Sequence, residues 1–63
     1  MKTIARIVVM SHLSDVQELM NNAGNREAQH YINFVKYIIL ETNGDLTKEI
    51  DADELWIEFM RDR

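Results

Sequence analysis

Residues 26–42 constrain the fold more than any other stretch, because one backbone period sorts them and the other does not. Laid out as a strand, Tyr31, Asn33, Val35, Tyr37 and Ile39 share one face and Ile32, Phe34, Lys36, Ile38 and Leu40 the other, and neither face is polar. Wound at about 100° per residue, Ala28, Tyr31, Ile32, Phe34, Val35, Ile38 and Ile39 gather into one arc of about 160°. Arg26, Gln29, His30, Asn33, Lys36, Tyr37 and Glu41 fill the opposite arc, and only Leu40 falls on the wrong side. The segment is therefore an amphipathic helix, with Asn25 capping its start and Asn43-Gly44 stopping it, since both residues tolerate left-handed backbone angles.

Three clusters of turn-forming residues, Ser11–Ser14, Asn21–Asn25 and Asn43–Asp45, cut the rest of the chain into pieces. Lys2–Met10 is rich in β-branched residues and reads as extended, with a short helix as the alternative. A lone strand there leaves unpaired backbone groups that point toward a second copy. Ser14–Ala23 reads as a helix, with Ser14 and Gln17 as a capping box, Leu13, Val16, Leu19 and Met20 on one face, and Gly24 in the left-handed position after its end. A third helix is expected from Ala52, capped by Asp51 with Glu54 three residues on. Asp53 and Glu54 load its first turn, and Arg61 and Arg63 its last.

The whole is a mainly α, three-helix domain over residues 1–63 with an N-terminal extended segment or short helix. The buried set expected is Ile7, Val9, Leu13, Val16, Leu19, Tyr31, Ile32, Val35, Ile38, Ile39, Leu55 and Phe59. Sixty-three residues without cysteine or proline give one small core and no covalent staple, so oligomerisation or very good helix packing must make up the stability.

Several chemistries are excluded or disfavoured. Two histidines, no cysteine and no His-x-x-x-His pair leave no recognisable metal or cofactor site. The acidic run does not match a calcium loop, because placing Gly44 at the sixth position puts Ile39 at the first. Ser11 and Ser14 lie near His12 only along the chain, Ser14 has a use as a cap, and His30 falls on the polar arc as a solvated histidine, so no catalytic residues are assigned and no enzyme is expected. No apolar run exceeds the four residues of Tyr37–Leu40, far below the ~20 residues of a membrane span. Lys2 with Ile4–Met10 makes too short a signal start, and a cytoplasmic location is expected.

Charge divides the chain. Residues 1–40 carry net +1, whereas residues 41–63 carry net −5 within a total of −4. The expected function is a non-enzymatic accessory or inhibitor type of interaction module. Its acidic C-terminal third, with Asp51, Asp53, Glu54 and Glu58 as contacts, docks a protein with a basic surface; self-association into a homo-oligomer is also expected. The order strand, helix, longer helix over Lys2–Met10, Ser14–Ala23 and Arg26–Thr42 resembles that of ribbon-helix-helix repressors. The resemblance implies a second reading, a dimeric DNA-binding regulator in which paired strands from two copies enter the major groove and Lys2 and Arg6 touch DNA.

Overall fold

A computed structural model describes residues Met1–Arg61; Arg63, expected in the last helical turn, lies outside the described residues. The elements are β1 (Lys2–Ile4), α1 (Ala5–Asn21), α2 (Asn25–Glu41), β2 (Glu49–Asp51) and α3 (Ala52–Arg61). The architecture is mainly α, with three helices and a two-stranded sheet. The central helix runs as its period dictates, one residue earlier at each end than the expected 26–42.

The N-terminal third departs from expectation. Extended backbone lasts only three residues, and α1 then runs without a break through Ser11–Ser14. The reason is the core: Ala5, Val8, Val9 and Val16 are buried at three- and four-residue steps that continue across that stretch. The modest helix penalty of Ser and Asp on the exposed side does not outweigh this burial. Ser14 is thus an exposed mid-helix residue and caps nothing. The start of α1 is capped instead by a distant loop, with Ala5 N–H donating to Lys48 O at 2.8 Å and Arg6 N–H to Leu46 O at 2.9 Å. Two of the four orphan amides of a helix start are satisfied in this way.

The strand is not an orphan either. β1 pairs antiparallel with β2, Lys2 opposite Asp51, Thr3 opposite Ile50 and Ile4 opposite Glu49, so its partner lies within the chain.

Both helix ends in the middle of the chain close with the same hydrogen-bond pattern. After α1, Gly24 N–H reaches Leu19 O at 2.7 Å and Ala23 N–H reaches Met20 O. The left-handed residue is Ala23 (φ 64°), not Gly24 as expected. Gly24 instead provides close approach, since a Cβ there would lie 3.2 Å from the Leu19 side chain. After α2, Asn43 (φ 55°) and Gly44 (φ 81°) make the expected stop, and the Thr42 hydroxyl donates to Ile38 O at 2.9 Å within the core. Asn25 is the first residue of α2, and no side chain caps that end.

The core joins Ala5, Val8, Val9, Phe34, Val35, Ile38, Ile50 and Phe59, with Leu55 and Trp56 half-buried against it. Of the expected buried set, Val9, Val16, Val35, Ile38 and Phe59 are buried. Leu19, Tyr31, Ile32 and Leu55 are half-buried. Ile7, Leu13 and Ile39 are exposed. Moving the start of α1 back to Ala5 rotates Ile7 away from α2, and α3 covers only one flank of the α1–α2 pair.

Candidate functional site

α3 places two different clefts on its two sides. Its start is set by Asp51, whose carboxylate accepts the Glu54 backbone N–H at 3.2 Å as the expected N-cap. That bond, helped by the chain's N-terminal ammonium 3.4 Å away, holds the Asp51 carboxyl below its ordinary range. Going along α3, Glu54 and Glu58 fall one helical turn apart, on the side facing the end of α2.

The first cleft, of about 310 Å³, is lined by Glu41, Asp51, Glu54 and Glu58, with Ile50 and Leu55 as its apolar part. Three of the four sequence-predicted contacts thus meet in one place. Glu41, on the last turn of α2, joins them; its distance along the chain hid it, although its position on the polar arc was legible. The Tyr37 hydroxyl donates to Glu58 at 3.4 Å and steadies that wall. Among the described residues the ammonium of Met1 with Asp51 is the one ion pair, and no described Lys or Arg side chain pairs with this group. No set of three or more His, Cys, Asp or Glu among the described residues is arranged to hold a metal ion.

Asp53, the fourth predicted contact, lies elsewhere. It lines a second cleft of about 360 Å³ with His12, Tyr31, Phe34 and Trp56. Here α1, α2 and α3 meet through rings. His12 stacks on Tyr31 with centroids 5.5 Å apart and meets Phe34 edge-on at 5.2 Å. Trp56 sits edge-on to Phe34 at 4.8 Å. Burial pushes the His12 imidazole below its ordinary value, opposed by the negative charge of Asp15, and its Nδ1 is buried without a hydrogen-bond partner. His30 is half-buried rather than solvated, edge-on to Trp56 at 5.2 Å. Sequence reasoning missed this junction because His12 lay in a presumed turn.

Lys2 and Arg6 do not share a strand. Lys2 is on β1 opposite Asp51, and Arg6 is in the first turn of α1 with its N–H on Leu46 O. No helix among the described residues is long and apolar enough to cross a membrane. Compared with known proteins, the chain matches no family model, no curated protein and no solved structure.

Proposed function

We propose that this chain is a non-enzymatic interaction module whose acidic cleft docks a lysine- or arginine-bearing segment of a partner protein. The observation that carries the reading is the convergence of Glu41, Asp51, Glu54 and Glu58 on one cleft with no Lys or Arg side chain paired to them among the described residues. A cationic side chain entering there gains several weak attractions at once, with Ile50 and Leu55 available to its methylene stem. Ser11 and Ser14 are exposed while His12 turns into the ring junction, which favours binding over nucleophilic catalysis. The lack of cysteine suits a reducing compartment, and we place the module in the cytoplasm. A DNA-reading ribbon draws less support, because β1 spends one edge on β2 and Arg6 belongs to α1.

The test is calorimetric titration of a hexalysine peptide at low salt. The double variant Glu41→Lys/Glu54→Lys should bind roughly tenfold or more weakly. Glu18→Lys/Glu27→Lys, with the same change in net charge elsewhere, should bind close to the parent. Absence of binding by the parent, or equal losses in both variants, refutes the reading.

A further inference from the structure

We propose that the face of the α1–α2 pair turned away from α3 is the contact surface for a second copy of this chain. Around α1, His12 marks the side that meets Trp56, and Leu13 and Met20 lie about 80–100° further round. Around α2, His30 and Phe34 mark the side of α3, and Ile32 and Ile39 lie on the opposite side by the same rotation. These four side chains therefore share one long face, floored by the buried Val9, Val16 and Val35. Leu13 is 44% exposed, Met20 56% and Ile39 39%. The ring contacts of α3 lie on the other flank.

The area of the face suits a second copy. Two 17-residue helices side by side make a face roughly 25 Å long and 20 Å wide. With side-chain relief, that approaches the ~800 Å² per partner of a standard interface. Two antiparallel helix pairs stacked on such faces form a four-helix bundle about a twofold axis, the commonest symmetry of small assemblies.

Charge gives this contact a signature. By the same rotation Arg6, Gln17 and Lys36 border the face on α1 and α2, and each copy carries net −4 overall, so two copies repel one another. Such repulsion is weak and screened by salt. Self-association should therefore tighten as salt rises, whereas docking of a basic segment in the acidic cleft should loosen. The two proposals stand or fall separately.

Sedimentation equilibrium at low and high salt tests it, with far-ultraviolet circular dichroism to confirm folding. The parent should be a dimer, twice 7.4 kDa, that strengthens with salt. Leu13→Glu and Met20→Glu should each weaken it roughly tenfold or more, and Ile57→Glu, at an exposed position on α3, should leave it intact. Should Leu13→Glu unfold the chain, Met20→Glu decides alone. A parent that stays monomeric, a dimer that loosens with salt, one that tolerates Met20→Glu, or one dispersed by Ile57→Glu overturns the proposal.

Discussion

The imidazole of His12 on α1 lies nearly parallel to the phenol ring of Tyr31 on α2, with centroids 5.5 Å apart and planes 18° apart. An imidazole protonated there carries its charge in a half-buried, poorly solvated site. Its folded value lies below the ordinary 6.5, so stability is complete above about pH 6.5 and falls as the solution is acidified through that value. The thermal midpoint should drop between about pH 7.5 and about pH 5.5. His12→Phe should flatten that slope; an unchanged slope would show that the sensitivity lies elsewhere.

Ala23 occupies a left-handed conformation that L-residues with a Cβ adopt at a cost. Ala23→Gly should raise stability by about 0.5–1 kcal/mol, the relief of that strain less the freedom glycine has when unfolded. Urea midpoints measured side by side check the sign.

Neighbouring isoleucines on α2 should respond unequally. Ile38 is fully buried, and Ile38→Ala should cost about 2–5 kcal/mol. Ile39 is 39% exposed, and Ile39→Ala, read on dilute chain, should cost under about 2 kcal/mol. Equal losses would contradict the rotation assigned to α2.

Asp51 both caps α3 and lines the acidic cleft. Asp51→Ala should lower the thermal midpoint, and Asp51→Asn should keep most of it, because an amide oxygen can still accept the Glu54 N–H. The folded carboxyl sits below its ordinary 3.8. The contribution of Asp51 is therefore present above about pH 4 and fades under acidification, and Asp51→Asn should remove that part of the acid response.

α2 and α3 were legible because local signals agreed with burial: a sorted 3.6-residue period from Ala28 to Ile39, Asn43-Gly44 as a stop, and Asp51 as a cap. α1 is less legible, because Ser11 and Ser14 look like punctuation, and only Val8, Val9 and Val16 packing on α2 carries the helix through. The pairing of Thr3 with Ile50 had no local trace, since three-residue strands so far apart in sequence are chosen by tertiary fit. Three cleft carboxylates could be named in advance as a charge cluster. Separating Asp53 from them and adding Glu41 required knowing which way α3 faces.

The ladder between β1 and β2 also sets an order of assembly. α1 and α2 are joined by a short turn and meet through contacts close in sequence, the kind that form fastest. Bringing Lys2 opposite Asp51 closes nearly the whole chain into a loop, with an entropic toll that is met only once the hairpin gives β2 and α3 a surface to land on. The acidic cleft, built from the end of α2 and the β2–α3 unit, is therefore expected to mature last, and a partner docking there would select molecules that have finished folding.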